Sequence, residues 1–132
     1  MKTSELIDEA LDWAVAKARG ILRSDKIQMF VGRPYAEGLL PNGYCPVAES
    51  VFDIPLHQIN YSTDWSQGGP IIERERITLR FWDNEPYITA YMPLNGSDHS
   101  PWWHGPTPLI AAMRCFVASK LGDEVEIPDE LK

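Results

Sequence analysis

The chain has 132 residues, a net charge of −7 and 44% hydrophobic residues, which indicates one globular domain and excludes wholesale disorder. The acidic balance disfavours a nucleic-acid partner that is bound through its phosphates. The two cysteines, Cys45 and Cys115, lack metal or redox spacing and favour a reducing compartment. Neither a signal peptide nor an apolar run of about 18 residues is present. We therefore expect a soluble cytoplasmic protein without membrane contact.

The first predicted element is a helix over residues 4–19 that ends at Gly20. Its apolar residues fall within one half of the helix circumference, and Asp12 falls among charged residues on the other half. Trp13 lies at the edge of the apolar stripe, so we expect it to be half-buried.

The middle of the chain predicts strands separated by loops. Residues 26–35 predict a first strand, and residues 36–48, which are rich in glycine and proline, predict a loop. Residues 50–60 are ambiguous, because Pro55 restricts a strand there to a sheet edge. Residues 61–70 predict a polar, glycine-rich loop with an Asx or Ser/Thr turn, followed by one helical turn.

The last third of the chain has the clearest signals. Apolar and polar residues alternate on both sides of an Asp-Asn-Glu-Pro turn, which predicts a β-hairpin over residues 75–92. A second long loop, residues 93–106, follows. A threonine cap, a proline in the first position and a following glycine predict a helix over residues 108–121. We expect its bulky face to lie on the sheet and its face of small side chains to receive either the first helix or a second subunit in a homodimer.

The order of these elements predicts an α+β fold, a two-layer sandwich with the N-terminal and C-terminal helices packed on a small antiparallel sheet. We expect residues 1–122 to form the single domain. Residues 123–132 contain five acidic residues and one lysine, which predicts a solvated, frayed acidic tail. A docking role for this tail is the alternative.

Catalytic and metal motifs are absent from the sequence. The histidines His57, His99 and His104 lack metal-ligand spacing, so we expect no metal and no cofactor. Ser97, Asp98 and His99 are contiguous, but adjacent side chains point in different directions, so contiguity does not predict a triad. We therefore favour a non-enzymatic protein, with a small hydrolase that uses His99 or His104 as a third hypothesis.

Aromatic residues in the two glycine-rich loops favour binding instead. Aromatic rings stack on planar ligands, and arginine pairs with phosphates or carboxylates. The candidate ligand-binding residues are Tyr61, Asp64, Trp65, Gln67, Gly68, Gly69, Arg74, Trp102, Trp103 and His104. The two loops could converge at one end of the sheet. For Trp102 and Trp103, packing into the core beneath the long loop is an equally good interpretation.

Three segments carry a resemblance to a known family. They are Leu-Asp-Trp-Ala-Val-Ala-Lys-Ala at residues 11–18, the segment 61–75 around Asp-Trp-Ser-Gln-Gly-Gly-Pro, and the segment 105–124 that contains the last helix. Together they resemble the NinX-like family of small bacteriophage and prophage proteins over most of the chain. Arg19 and Arg76 depart from the family pattern, in which Glu and Gly are commoner.

The resemblance implies a phage accessory protein in the cytoplasm of a bacterial host, encoded near recombination and replication functions. It supplies no catalytic residue to carry over. Our leading hypothesis is a non-enzymatic binding module for a small-molecule planar ligand or a host protein, acting in host takeover or counter-defence. An accessory factor in phage recombination or replication is the alternative, although the acidic charge argues against nucleic acid as a partner.

Overall fold

The computed structural model describes residues 2–30, 33–38, 52–55, 59–92 and 102–131. In these ranges the helices are α1 (Asp8–Arg19), α2 (Trp65–Glu75) and α3 (Pro108–Leu121). One antiparallel sheet contains β1 (Leu22–Phe30), β2 (Arg33–Gly38) and β3 (Phe52–Pro55), and a second contains β4 (Thr78–Phe81), β5 (Ile88–Tyr91) and β6 (Trp103–Gly105). Short 3₁₀ helices lie at Thr3–Glu5 and Asp129–Leu131. Among the described residues, no helix has the length and apolar character needed to cross a membrane.

Helix α3 is the centre of this α+β fold, which confirms the predicted fold class. It packs on the β4–β6 sheet and also contacts α1 and α2, while α1 packs mainly on α3 and makes a smaller contact with β1. A helix that is apolar on nearly all sides has to be covered from several directions. Its small side chains Ala111, Ala112 and Cys115 are buried within the single chain. The strands form two sheets rather than the single sheet that we expected.

Helix α1 begins at Asp8 instead of residue 4, because Thr3–Glu5 forms a separate 3₁₀ turn. Its predicted end is confirmed. Gly20 adopts the left-handed conformation (φ 78°), and its N–H donates to the carbonyls of Ala16 and Lys17. Trp13 and Asp12 are both buried, so the predictions of a half-buried Trp13 and a solvent-facing Asp12 are wrong. Tertiary contacts cover both faces of the helix.

The predicted single strand over residues 26–35 is wrong, because this region contributes to two antiparallel strands with Phe30 opposite Arg33. Gly32 and Pro34 are residue types that strands disfavour, so the sequence did contain a signal for a break between β1 and β2. Strand β2 extends into the predicted loop 36–48, and the rest of that loop lies outside the described residues. Strand β3 lies at the edge of its sheet, as Pro55 requires. The hairpin over residues 75–92 is confirmed by the pairing of β4 with β5.

The two predicted long loops contain regular structure. Residues 65–70 are the first half of α2, so the loop predicted over residues 61–70 ends at Asp64. Within the loop predicted over residues 93–106, Trp103–Gly105 pairs with β5 as strand β6, and residues 93–101 lie outside the described part of the chain. The prediction for α3 is confirmed, including the Thr107 hydroxyl, which accepts a hydrogen bond from the Ile110 N–H at 3.2 Å.

The C-terminal segment is packed, so the expected frayed terminus is wrong. Three of its apolar side chains are buried in the core, namely Val125, Ile127 and Leu131. The N-terminal segment also holds it, because the Thr3 N–H donates to the Asp123 carbonyl at 2.8 Å and the Thr3 hydroxyl to the Gly122 carbonyl at 2.7 Å. The acidic residues alternate with apolar ones, and the apolar ones anchor the segment.

Arg76 ends α2 in the left-handed conformation, with φ 55° and ψ 44°. Glycine adopts this conformation without the steric cost that a Cβ atom brings. We expect Arg76→Gly to raise the free energy of unfolding by about 0.5–1 kcal/mol in urea denaturation. Arg74→Gly, inside the same helix, is the matched control and should lower it by a similar amount, about 0.5–1 kcal/mol. A destabilised Arg76→Gly variant would contradict the assignment of strain to this residue.

Candidate functional site

Residues 61 and 62, at the start of the first predicted binding segment, are hydrogen-bonded to α1. Tyr61 is buried, and its hydroxyl accepts a hydrogen bond from Arg19 Nη1 at 2.7 Å. The Ser62 N–H donates to Oδ1 of the buried Asp12 at 2.8 Å. Burial raises the pKa of Asp12 to about 6, while the hydrogen bonds from Ser62 lower it and the nearby acidic residues Asp8 and Glu9 raise it further. These contacts assign Tyr61 a role in the fold.

The polar side chains of the segment hold the start of α2. Asp64 is the N-cap, and its carboxylate accepts from the N–H of Ser66 at 2.9 Å and from the hydroxyl of Ser66 at 2.6 Å. These hydrogen bonds lower the pKa of Asp64. Gln67 accepts from the Asn60 N–H at 2.8 Å through Oε1. Of the predicted Asx or Ser/Thr turn, the structure shows the Asx form, at Asp64, where it caps the helix.

The glycine pair in α2 has two different environments. A Cβ atom on Gly68 would collide with the Tyr61 carbonyl and with the Leu109 side chain. Apart from its chain neighbours, a Cβ atom on Gly69 would meet nothing closer than the Trp65 ring at 3.9 Å. Gly68 therefore permits the close approach of α2 to the preceding segment, whereas Gly69 has no such role.

Trp65 and Arg74 are exposed on α2. Trp65 is 54% exposed and lines a cavity of about 240 Å³. The remaining lining residues are Ser62, Thr63, Thr107, Pro108, Leu109 and Ile110. Arg74 lies at the other end of the helix and contacts Glu75, with 3.4 Å between Nε and Oε1.

A second cavity of about 490 Å³, here called the Trp102 cavity, lies beside β6. Its lining residues are Ser4, Trp102, Trp103, His104, Arg114 and Asp123. It thus takes in the three candidates that the sequence placed before the last helix, and among the described residues it shares no lining residue with the Trp65 cavity. The structure does not bring the two groups of predicted site residues together.

Two aromatic side chains of the Trp102 cavity each contact a tyrosine ring. Trp102 is 42% exposed, and its ring lies 4.3 Å from the Tyr91 ring at an angle of 54°. The His104 ring makes an edge contact of 4.7 Å with Tyr87. Trp103 packs against the core and also lines the cavity. Trp103 therefore fits the core interpretation in part, whereas Trp102 offers an open ring surface.

Arg114 is a cavity residue that the sequence did not single out. Its Nε donates to the Leu6 carbonyl at 2.9 Å, and its Nη1 donates to the His104 carbonyl at 2.8 Å. Burial lowers the pKa of Arg114. A lone arginine in the first half of an apolar helix was the available signal. No sequence pattern marked Ser4 or Asp123, because they line the cavity only through the packing of the N-terminal segment against the C-terminal segment.

A further exposed tryptophan, Trp82, contacts two other side chains of the protein. Its ring lies 4.1 Å from the guanidinium of Arg80, and its Nε1 donates to Thr89 Oγ1 at 3.1 Å. One face of this ring is therefore covered by the protein itself.

Comparison with known families identifies the chain. The model of the family described as Bacteriophage P22, NinX matches residues 2–120. The chain belongs to the NinX family. A comparison with curated proteins finds no match. Of the described residues that line the Trp102 cavity, the NinX range includes all but Asp123.

Among the described residues, His104 is the one histidine that could bind a metal. His57, His99 and Cys45 lie outside the described residues. Among the residues with assigned positions, no group of three or more His, Cys, Asp or Glu side chains is arranged to hold a metal ion.

Proposed function

We propose that this NinX-family chain is a non-enzymatic binding module that holds a small planar ligand in the Trp102 cavity. The observation that supports it is a 42% exposed indole that lines the same cavity as a guanidinium, which two backbone carbonyls hold in place. A ring that is supported on one side by Tyr91 can stack on a planar molecule with its other side. The volume of about 490 Å³ is within the range of roughly 300–1,000 Å³ that small-molecule sites have in general.

The cellular role belongs to the same proposal. As an accessory protein of a phage, the module would act in the cytoplasm of the infected bacterium, in host takeover or counter-defence. Family membership supports the phage context, and the cavity supports a small molecule over a host protein surface, because a concave site encloses a ligand that a flat protein surface cannot enter.

Trp102→Ala tests this proposal. We expect native mass spectrometry of the wild-type protein from a host extract to show a bound small molecule that denaturation releases. The variant should lose that mass, since removal of a stacking ring weakens binding by at least about fivefold. Trp65→Ala is the matched control, because Trp65 is also exposed but lines the other cavity. Equal retention in both variants would contradict the site, and a bare wild-type mass would contradict a tightly held ligand.

A further inference from the structure

Arg114 carries a charge that the described structure leaves without a counterion. Two of its three guanidinium nitrogens bond neutral carbonyls, those of Leu6 and His104. Such bonds hold the group in place but neutralise nothing. In the described part of the chain no carboxylate lies within salt-bridge distance of it, in contrast to Arg74 with Glu75. A half-buried cation of this kind is stabilised by an anion that enters the cavity.

The rest of the cavity adds two further requirements for a ligand. The Trp102 ring offers a flat apolar surface, which selects a planar ring. Asp123 and Ser4 also line the cavity, and a carboxylate accepts hydrogen bonds from N–H or O–H donors. The negative charge of Asp123 repels an anionic group, so the anion should lie toward Arg114 and the donors toward Asp123.

A ring with donors and a separate anionic group is the chemistry of a nucleotide. We propose that the Trp102 cavity binds a nucleoside monophosphate, with the base on Trp102 and the phosphate at Arg114. This inference rests on the proposed function and names its ligand class. A polynucleotide is disfavoured, because the chain carries a net charge of −7 and its phosphates would approach an acidic surface.

The experiment compares AMP with adenosine by isothermal titration calorimetry on the full chain. Both have the same base and ribose, so their difference isolates the phosphate. We expect AMP to bind at least about tenfold more tightly than adenosine, because a phosphate at a guanidinium makes charge-assisted hydrogen bonds. Trp102→Ala should weaken both compounds.

Arg114→Gln removes the charge and should lower the ratio of AMP affinity to adenosine affinity from at least about tenfold to about one. Arg74→Gln is the matched control, since Arg74 lies on the exposed surface of α2. Should Arg114→Gln fail to fold, the wild-type comparison of AMP with adenosine still decides the question.

Two results would overturn the inference. Equal, Trp102-dependent binding of AMP and adenosine would remove the role of the phosphate and leave the proposed function intact. No binding of either compound, together with a Trp102-dependent mass from the host extract, would place a different planar ligand in the cavity. Absence of that mass as well would contradict the proposed function itself.

Discussion

Gly68→Ala is expected to lower the free energy of unfolding by about 2–3 kcal/mol, whereas Gly69→Ala is expected to change it by less than about 1 kcal/mol. The Cβ atom of an alanine at Gly68 would collide with the backbone carbonyl of Tyr61 and with the Leu109 side chain. Tyr61 cannot move away freely, because its hydroxyl is bonded to Arg19 and the next residue is bonded to Asp12. The collision has to separate α2 from the preceding segment.

The neighbouring glycine is the control for this prediction. Apart from its chain neighbours, the new methyl group at Gly69 meets only the Trp65 ring, at an ordinary contact distance of 3.9 Å. The alanine there gains helix propensity, and the contact of its methyl group with the ring of the following Pro70 offsets part of that gain. Thermal and urea denaturation of both variants, followed by circular dichroism, measure the two effects. Equal stability of the two variants would show that the close contact at Gly68 does not restrict the fold.

The second large effect concerns pH, and it arises from Asp12. Its pKa is raised from 3.8 to about 6 in the folded protein, so between these values the folded chain keeps a proton that the unfolded chain has released. Stability from this group is therefore present below about pH 4 and is lost as the pH rises through about 6. Asp12→Asn cannot ionise, and its amide oxygen can still accept from the Ser62 N–H. We expect the stability of this variant relative to wild type to increase by about 2–3 kcal/mol between pH 4 and pH 7.

Asp64→Asn is the control for the pH series. The pKa of Asp64 is lowered by hydrogen bonds from Ser66, so its contribution is present at neutral pH and lost as the pH falls. Asparagine also caps helices well. The relative stability of this variant should therefore change with pH in the opposite direction and by less, because the carboxylate is exposed. Urea denaturation at closely spaced pH values measures both differences, and a flat profile for Asp12→Asn would show that Asp12 titrates normally.

Part of the candidate site could be predicted from the sequence. Trp102 and His104 were proposed as ligand contacts and line the larger cavity. Four further candidates were proposed for the same reason, namely Tyr61, Asp64, Gln67 and Gly68. Tyr61 and Gly68 contact α1 and α3, while Asp64 and Gln67 hold the start of α2. Both groups are polar or aromatic residues in an unusual segment, and composition cannot distinguish a helix junction from a ligand site. Arg19 and Leu109, which contact Tyr61 and Gly68, lie far away in the chain, whereas Asp64 and Gln67 bond residues within seven positions of them.

The sequence by itself determined the elements whose signals are local. The cap and proline of α3, the glycine that ends α1 and the alternating residues of β4 and β5 lie within a few residues of the structures that they specify. The sequence also identified the family, because its three characteristic segments can be recognised without knowledge of their contacts.

Only the tertiary structure decided the start of α2, the burial of Asp12 and the composition of the Trp102 cavity. Glycine and proline disfavour helices in isolation, but a helix that packs closely through Gly68 gains contacts that outweigh local propensity. Asp12 is buried by a segment 50 residues away in the chain. The cavity combines Ser4, Asp123 and Arg114, which meet because both chain ends pack beside α3. Contacts over such separations depend on the whole packed chain, and no local pattern encodes them.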